Sequence, residues 1–367
     1  MSTLLKDRYS PTFYQNFAHV LQQTLAHEFN PQTFIQSIFT PHFEQMELKQ
    51  RMTHTAQALH TVLPPDFDLS APILTQLVNN LQQAGLTQYS LEYMFIPEYV
   101  SMYGLNNYQS AITAIETITQ FTSCEFAVRP FIIQYPNQMM EQMLLWSKHQ
   151  NNAVRRLASE GCRPRLPWAM ALPSLKANPA PILPILENLK QDPCEIVRRS
   201  VANNLNDISK DNPHVFMQVI QQWQGISPQT DAIIKHASRT LLKAAHPKIL
   251  HFYQLNHQPI TLTRFTLHTP QIAMGNNLQF SFALTNTYTQ PLTTRIEYAI
   301  YHKKSNGNLQ PKVFKISERT LMPNETITIT RNHLFKPITT RRYYAGNHKI
   351  ALIINGQEKA QADFELQ

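Results

Sequence analysis

The chain has 367 residues, 43% of them hydrophobic, and its 32 basic and 24 acidic side chains leave a formal net charge of +8. It is long enough to bury a large core in two or three domains, but no stretch approaches the roughly 18 apolar residues of a membrane span, and the N-terminal segment lacks a basic run followed by an apolar core. Three scattered cysteines without CxxC spacing or paired histidines argue against a disulfide framework and a structural zinc site, so we expect a globular cytoplasmic protein with reduced thiols and no metal.

The charge is unevenly distributed along the chain. Residues 1–119 contain 4 basic and 9 acidic side chains, residues 120–256 contain 15 and 9, and residues 257–367 contain 13 and 6. An acidic first third before two basic segments indicates that the last two-thirds contact an anionic partner, whereas the first third supports the fold or faces solvent. Random drift of surface charge is the alternative.

The first part of the chain is predicted to be helical. From Tyr14 to Phe252 apolar residues recur at spacings of three and four, and Pro and Asn separate the segments. Four similar segments within it, EFAVRPFI, NAVRRLAS, EIVRRSVA and AIIKHASR, follow one another at spacings of 26, 43 and 37 residues. Two of these spacings are near the period of about 40 that is typical of two-helix HEAT-type repeats. We therefore predict an α-solenoid domain over residues 1–256.

The repeated segments place basic residues at matching helical positions. In a solenoid they would project toward one concave face that follows a duplex backbone, and the predicted set is Arg129, Arg155, Arg156, Arg198, Arg199, Lys235 and Arg239. The alternative is that some of these arginines bridge adjacent repeats through carboxylates.

The stretch from Ala153 to Asp211 interleaves arginines with a few carboxylates and a tryptophan. Arginine forks hold phosphates bidentately, whereas an acid set among them repels the same phosphates and needs another reason to be there. A positive charge that develops on a bound nucleotide is such a reason. Three further basic residues of this stretch belong to the predicted nucleic-acid interface: Arg163, Arg165 and Lys210.

From Ile260 onward the pattern changes to alternation, as in LQFSFALTN and HKIALIING, with turn signals at SNGN, MPNE and YAGN. It predicts an immunoglobulin-like β-sandwich of about seven strands over residues 257–367. Basic residues flank its SNGN turn or precede an aromatic pair, and we predict that they enter a DNA groove: Lys303, Lys304, Lys312, Lys315, Arg341 and Arg342. The alternative is a solvated sheet edge that lysines protect from pairing.

Several segments resemble the AlkC branch of bacterial alkylation-repair DNA glycosylases, which are HEAT-like-repeat proteins. They are SCEFAVRPF, VRRLASEGCRPRLPW, DPCEIVRRSVANNLNDISKD, PKVFK and TTRRYYAGNHKIALIING, so the resemblance covers most of the chain from about residue 85 onward. It implies an enzyme that cleaves the N-glycosidic bond of cationic bases such as 3-methyladenine and 3-methylcytosine in double-stranded DNA, without extruding the base into a pocket. It also implies that the immunoglobulin-like domain helps enclose the DNA. We expect a monomer acting on the nucleoid in the cytoplasm.

Carried over by motif, the resemblance implies that Glu125, Glu160 and Asp207 are catalytic acids and that Trp168 is an aromatic wall beside them. A carboxylate suits this chemistry, because it stabilises the cationic sugar that forms as an already charged base departs, and another can orient or deprotonate water. Read alone, Glu125 also fits the first turn of a helix, Asp207 a local cap, and Trp168 a core position.

The lysines nearest these acids, Lys148 and Lys210, do not lie in apolar stretches that would make them Schiff-base nucleophiles, so a monofunctional enzyme is expected. The chain has only 8 glycines and no phosphate-binding glycine motif, so no nucleotide cofactor is expected. Two other functions stay open: a HEAT-type scaffold for an acidic protein, and a DNA- or RNA-binding solenoid without catalysis.

Overall fold

The computed structural model of the chain describes residues 4–25, 28–85, 91–256, 259–338 and 341–367. Two compact units divide it, Met1–Ala237 and Ser238–Gln367. In the described residues the first unit is built of α-helices and the second is built mainly of β-strands. This order, helical repeats followed by a β-sandwich, confirms the fold class that the sequence predicted.

The first unit contains helices α1 to α14. Proline occupies the first turn of several of them, where its missing N–H costs no hydrogen bond. Asn30 shows how a start is specified, because its side chain accepts from the backbone N–H groups of Gln32 and Thr33. The helices are α1 (Pro11–Thr24), α2 (Pro31–Ile38), α3 (Leu48–His60), α4 (Phe67–Gln83), α5 (Phe95–Tyr103), α6 (Tyr108–Ile118), α7 (Val128–Gln134), α8 (Pro136–Trp146), α9 (Asn152–Gly161), α10 (Pro173–Ala177), α11 (Leu183–Leu189), α12 (Glu195–Asp211), α13 (Pro213–Trp223) and α14 (Pro228–Ala237).

Three helix pairs, α8/α9, α11/α12 and α13/α14, stack one after another in the second half of this unit. The second helices of the pairs lie side by side, because α12 packs against both α9 and α14. Their apolar faces are buried at every turn, through Val154 and Leu157 in α9 and through Val197, Val201 and Leu205 in α12. Burial of these faces between neighbouring pairs is the arrangement expected of a helical-repeat solenoid.

The close approach of α9 to α7 depends on Gly161. A Cβ atom at this position would lie 2.6 Å from Cγ2 of Val128 and 3.1 Å from Cε of Met143, both of which are buried. The missing side chain therefore allows the C-terminal end of α9, which carries Glu160, to pack directly on α7 and α8.

The second unit begins with two short helices, α15 (Arg239–Lys243) and α16 (Pro247–Phe252). They pack on the turn between its last two strands, where Gly356 has φ +82° and a Cβ would lie 2.7 Å from Cδ1 of Leu250. Asn355 in the same turn donates to the carbonyl of Asn256. The compact units thus divide after Ala237, whereas the change from helix to strand falls near the domain boundary drawn from the sequence, between residues 256 and 257.

The strands of the second unit form two sheets, one in the order β1-β3-β6 and one in the order β2-β8-β7-β4-β5. Alternate residues of β3 point into the core, among them Phe280 and Phe282, and face Ile296, Ile350 and Leu352 of the other sheet. The strands are β1 (Ile260–Leu267), β2 (Gln271–Ile272), β3 (Asn277–Asn286), β4 (Leu292–Lys303), β5 (Leu309–Leu321), β6 (Thr326–Leu334), β7 (Gly346–Ile354) and β8 (Gln357–Leu366).

The described residues thus contain eight strands rather than about seven. The additional strand, β2, has only two residues, and it pairs in parallel with the end of β8. Two residues are too few to show alternation, so sequence periodicity could not reveal this strand.

Candidate active site and nucleic-acid interface

Two of the predicted catalytic acids, Glu160 and Asp207, are brought together by one arginine. Glu160 lies at the C-terminal end of α9 and Asp207 lies in the C-terminal part of α12, and their exposed fractions are 6% and 1%. Arg163 donates from Nη1 to Oε1 of Glu160 at 2.6 Å and from Nε to Oδ2 of Asp207 at 2.9 Å. A guanidinium has a planar fork of donors, so it can hold two carboxylates at a defined separation.

The second oxygen of each acid is also occupied. Ser200 donates its hydroxyl to Oε2 of Glu160 at 2.6 Å, and Lys210 donates to Oδ1 of Asp207 at 2.9 Å. Ser200, Asp207 and Lys210 all lie on α12, whereas Glu160 lies on α9. Packing of α9 against α12 therefore builds the cluster, and it balances two acidic side chains with two basic ones.

Burial and charge act in opposite directions on Arg163. Removal from water by itself lowers the pKa of Arg163, but the neighbouring carboxylates of Glu160 and Asp207 outweigh it, and the pKa is raised above its ordinary value. The guanidinium is consequently a permanent positive charge at the centre of the cluster.

Glu125, the third predicted acid, lies in the turn before α7 and not in its first helical turn. Its Oε2 accepts from the hydroxyl of Ser123 and from Nη2 of Arg156, both at 2.7 Å. Arg156 precedes Glu160 by one helical turn of α9 and also donates to Ser123 at 3.1 Å. The two arginine–carboxylate groups are therefore neighbours along one helix.

A cavity of about 390 Å³ opens beside Glu125. Glu125 and Arg156 form its charged wall, and its remaining lining is largely apolar, with Leu91, Met94 and Ile196. More than half of the Ile196 side chain is exposed although it is large and apolar. This part of the site thus combines one ion pair with apolar surface that water contacts in the free protein.

Trp168 lies in the segment between α9 and α10, and 61% of it is exposed. It does not fill the core, which removes the structural alternative that the sequence left open. Its backbone φ is +65°, a conformation in which a bulky L-residue is rare. Lys49 of α3 donates to the Trp168 carbonyl at 3.0 Å.

Arg129 does not lie at the surface, so the prediction that it contacts phosphate is wrong. It is fully buried, and its guanidinium donates to the carbonyls of Gly161, Arg163 and Met170 at 3.0, 2.9 and 2.6 Å. Burial lowers the pKa of Arg129 to about 10. Its donors satisfy backbone carbonyls of the segment that carries Trp168, which is a structural task.

Arg155 is also held inside the repeat architecture. It donates to both carboxylate oxygens of Asp192, which precedes α12, and to the carbonyls of His149 and Gln150. It thus bridges adjacent repeats through a carboxylate, which was the alternative stated for this row of arginines. Arg198 is half-buried and donates to the carbonyls of Asp192 and Pro193.

The other basic residues predicted for the first unit differ in exposure. Arg199 is exposed beside Glu195, and Arg165 is exposed and makes two hydrogen bonds with Asp211. That pairing raises the pKa of Arg165 and lowers the pKa of Asp211. Lys210 is exposed and Lys235 is half-buried on the last turn of α14.

Arg239 begins α15 and belongs to the second compact unit, whereas the other six residues of the predicted row lie in the first. The segment AIIKHASR is similar in sequence to the other three segments, but its basic residues occupy helix positions that are not equivalent to theirs. Arg155, Arg156, Arg198 and Arg199 are the fourth and fifth residues of their helices, whereas Lys235 lies in a last turn.

The predicted basic residues of the second unit lie in two parts of the chain, β4 and β5 with the turn between them, and the segment before β7. Lys304 lies in the turn between β4 and β5, Lys312 and Lys315 are exposed on β5, and Lys303 donates to the carbonyl of Ala345 at 3.1 Å. Burial, followed by the charge of Arg341, lowers the pKa of Lys312.

Arg341 and Arg342 each lie over an aromatic ring. Their guanidinium carbons are 5.9 Å from the Tyr343 ring centre and 5.5 Å from the Tyr344 ring centre. Arg341 also hydrogen bonds to Nε2 of His302. The segment therefore presents two ordered cations, each supported by an aromatic ring.

Two site residues, Ser200 and Lys49, were not predicted from the sequence. Ser200 is the hydroxyl donor to Glu160, and a helical-wheel count from Asp207 would have placed it on the same face of α12, two turns earlier. No local pattern marks Lys49, because its partner lies 119 residues further along the chain.

Within the described ranges, no group of three or more His, Cys, Asp or Glu side chains is placed to hold a metal ion. The helices that the structure describes include none with the length and apolarity needed to cross a membrane.

Comparisons with known proteins agree with this architecture. Residues 96–249 match a family model described as DNA alkylation repair enzyme, and residues 261–367 match one described as the C-terminal Ig-like domain of YhaZ. The chain is 40% identical to the uncharacterized protein YhaZ of Bacillus subtilis, over 99% of each chain. A solved structure of the Pseudomonas fluorescens alkylpurine DNA glycosylase AlkC, bound to DNA containing an abasic site analog, is 31% identical, with complete coverage of both chains and a TM-score of 0.92.

The fold and the site together define a protein of the DNA alkylation repair class, with a helical-repeat unit followed by an immunoglobulin-like one. The chain belongs to the AlkC family, in the form that carries the C-terminal Ig-like domain. The resemblance drawn from its motifs is confirmed.

Proposed function

We propose that the protein is a monofunctional DNA glycosylase that removes cationic N-alkylated bases, 3-methyladenine and 3-methylcytosine, and leaves an abasic site. The observation that carries the proposal is the arrangement of Glu160, Arg163 and Asp207 across α9 and α12, with the exposed Trp168 five residues after Arg163. It occurs in a chain that aligns over its whole length with a glycosylase whose structure contains DNA with an abasic site analog.

The chemistry explains why acids are needed. A base with a positive charge leaves without protonation, so the barrier lies mainly in the sugar, which becomes an oxocarbenium-like cation as the bond breaks. A carboxylate about 4 Å from that cation, at an effective dielectric constant of about 20, stabilises it by about 4 kcal/mol. Stabilisation of the transition state alone by this amount corresponds to about three decades in rate.

Arg163 and Lys210 balance the charge of Glu160 and Asp207, so net charge alone does not attract the cation. Stabilisation requires that the carboxylate oxygens lie nearer to the sugar than the guanidinium does. Arg163 holds each acid through one oxygen, and Ser200 and Lys210 donate to the other oxygens. A carboxylate oxygen that accepts one hydrogen bond keeps a second lone-pair site, and we propose that these sites face the sugar. We assign Glu160 and Asp207 to cation stabilisation and to orientation or deprotonation of the attacking water.

A hydrolytic rather than a lysine-based mechanism agrees with the position of Lys210. This residue is the lysine bonded to the acid cluster, and its ammonium group donates to Oδ1 of Asp207 at 2.9 Å. An ammonium that donates a hydrogen bond has no free lone pair to attack a sugar carbon. Water is therefore the proposed nucleophile.

We propose that Trp168 contacts the lesion at the protein surface while the base stays within the duplex. The support is its exposure of 61% on a segment outside the core. An aromatic face attracts a cationic base or sugar without an enclosing pocket. Exposed cations, among them Arg199, Lys304 and Arg342, are proposed to bind the phosphates of double-stranded DNA.

The proposal is tested by measuring free bases released from methylated duplex DNA by the wild type, Glu160→Gln and Asp207→Asn. Each substitution keeps the size of the side chain but removes its charge, and we expect at least a tenfold loss of excision, which is about 1.4 kcal/mol of transition-state stabilisation. Glu141→Gln is the matched control, because Glu141 is exposed on α8, and full activity is expected.

Binding to a duplex with an abasic-site analogue is measured in parallel. The two active-site variants should bind within about threefold of the wild type, because the phosphate contacts are unchanged. Tight DNA binding by a wild type that releases no base would instead indicate a non-catalytic nucleic-acid-binding protein. Full excision by both variants would show that the reaction occurs elsewhere.

A further inference from the structure

The segment Gly161–Leu172, called here the tryptophan segment, is held by cations from two distant elements. Arg129 of α7 donates to the carbonyls of Gly161, Arg163 and Met170, at the two sides of Trp168. Lys49 of α3 donates to the carbonyl of Trp168 itself. Four backbone carbonyls are thus satisfied by two side chains that belong to neither α9 nor α10.

Lys49 is placed against the acid site as well. Its ammonium nitrogen lies 5.6 Å from the ring centre of Phe126, the residue after Glu125. Lys49 is exposed on the first turn of α3, in the acidic first third of the chain, whose other described cations pair with acids of that third. Its two contacts connect this third with Glu125 and with the tryptophan segment.

Trp168 needs such support. Its φ of +65° is unfavourable for a residue with a Cβ, and its ring is too exposed for burial to offset that cost. A strained backbone persists only where the surroundings over-determine it. Here the Ala169 N–H closes a turn onto the Leu166 carbonyl, and Arg129 and Lys49 donate to the carbonyls of Met170 and Trp168. The exposed Trp168 side chain is therefore held through its backbone.

We propose that Arg129 and Lys49 are positioning residues that hold the Trp168 ring in an exposed orientation in which it can contact the damaged nucleotide. The inference rests on the proposed function, and it assigns a task to the N-terminal third of the chain. Neither residue needs to contact DNA. Each acts through the backbone of the tryptophan segment, and the advantage is a ring that is ordered before DNA binds.

The first test is spectroscopic and requires no enzymatic activity. Subtracting the fluorescence of a protein with Trp168→Ala from that of its parent isolates the emission of Trp168, because the other two tryptophans, Trp146 and Trp223, are buried. We expect Lys49→Met and Arg129→Lys each to lower the anisotropy of this emission and to change its quenching by acrylamide. An unchanged Trp168 signal in both variants would overturn the proposal.

The second test is a double-mutant cycle on single-turnover excision. Lys49→Met should slow excision about fivefold when Trp168 is present and less than about twofold in a Trp168→Ala background, because residues that act as one unit are not additive. Lys148→Met is the matched control, since Lys148 is an exposed lysine after α8, and it should have no more than about a twofold effect in either background.

If Arg129→Lys unfolds the protein, the proposal is tested with Lys49→Met alone. Its side chain is exposed, so the melting temperature of Lys49→Met should stay within about 2 °C of the wild type. Equal losses of excision with and without Trp168 would show that Lys49 acts directly on DNA and would overturn the proposal. If the wild type releases no base, the proposed function fails, and the fluorescence experiment still decides whether the two cations position Trp168.

Discussion

Arg155 and Arg198 occupy equivalent places in consecutive helix pairs. Each lies in the first turn of its helix, and each Nη1 donates to the two carbonyls that precede it by six and five residues, His149 and Gln150 for Arg155 and Asp192 and Pro193 for Arg198. The equivalence shows that the repeat detected at α9 and α12 is structural. The first arginine of each dipeptide closes the turn before its helix, whereas the second donates to a carboxylate, Glu125 for Arg156 and Glu195 for Arg199.

Substitutions in the two dipeptides should therefore separate stability from DNA binding. Arg199→Gln should weaken DNA binding and reduce the slope of log affinity against log salt by about 0.9, the value for one phosphate contact, with little change in melting temperature. Arg155→Gln should instead lower the free energy of unfolding by about 2 kcal/mol, because Asp192, 5% exposed, loses its charged partner and keeps the Cys194 N–H. Binding titrations at several salt concentrations and thermal denaturation measure these effects, and a reversed pattern would contradict the assignment.

Replacement of Arg163 by Met should destabilise the first unit strongly. Glu160 and Asp207 would remain close together, and Lys210 would still be bonded to Asp207 but not to Glu160. Breaking a buried ion pair in this way costs about 3 to 5 kcal/mol. Urea denaturation measures the loss, and a free energy of unfolding equal to that of the wild type would show that Arg163 does not hold the two acids in place.

A Cβ at position 161 should disturb the site through packing. In Gly161→Ala the new atom would lie 2.6 Å from Cγ2 of buried Val128, so α9 must move away from α7. We expect a loss of about 1 to 3 kcal/mol in stability, typical of an overpacked core, together with slower base excision. Asn152→Ala, at an exposed position of the same helix, is the control and should change neither. A melting temperature of Gly161→Ala equal to that of the wild type would contradict the packing argument.

The immunoglobulin-like unit should lose stability in mild acid. Burial is the main cause that lowers the pKa of His302 to about 3 and the pKa of His333 to about 4. The charge of Arg341 lowers both pKa values further, and the charge of His348 lowers that of His302. In the unfolded chain histidine titrates near pH 6.5, so the unfolded state binds more protons than the folded state between about pH 6.5 and pH 4. The free energy of unfolding that depends on these uncharged histidines is therefore fully present above about pH 6.5. It decreases as pH falls, by up to about 2 kcal/mol for each histidine between pH 7 and pH 5.

This pH dependence is measured on the full chain by thermal denaturation between pH 5 and pH 7.5. His302→Gln removes one titrating group while keeping an acceptor for Arg341, so its stability should depend less on pH than that of the wild type. An identical pH dependence of the two proteins would show that His302 is not one of the groups responsible.

Much of this protein was predictable from local patterns. Apolar residues at spacings of three and four predicted the helices up to Phe252, and alternating apolar residues predicted the strands from Ile260 onward. Both periods can be recognised within a few neighbouring residues. The motifs around Glu160 and Asp207 sufficed to indicate the family. The roles of these acids, of Glu125 and of Trp168 stay predictions that the excision assay decides.

Tertiary structure alone decided which basic residues face outward. Arg129 and Arg155 read like Arg156 and Arg199 in the sequence, yet the first two satisfy carbonyls and a carboxylate inside the fold. Their partners lie more than thirty residues away, at Gly161 for Arg129 and at Asp192 for Arg155, and no local period encodes such a distance. Periodicity determines which face of a helix is buried, whereas the partner of a charge depends on which helix packs against that face.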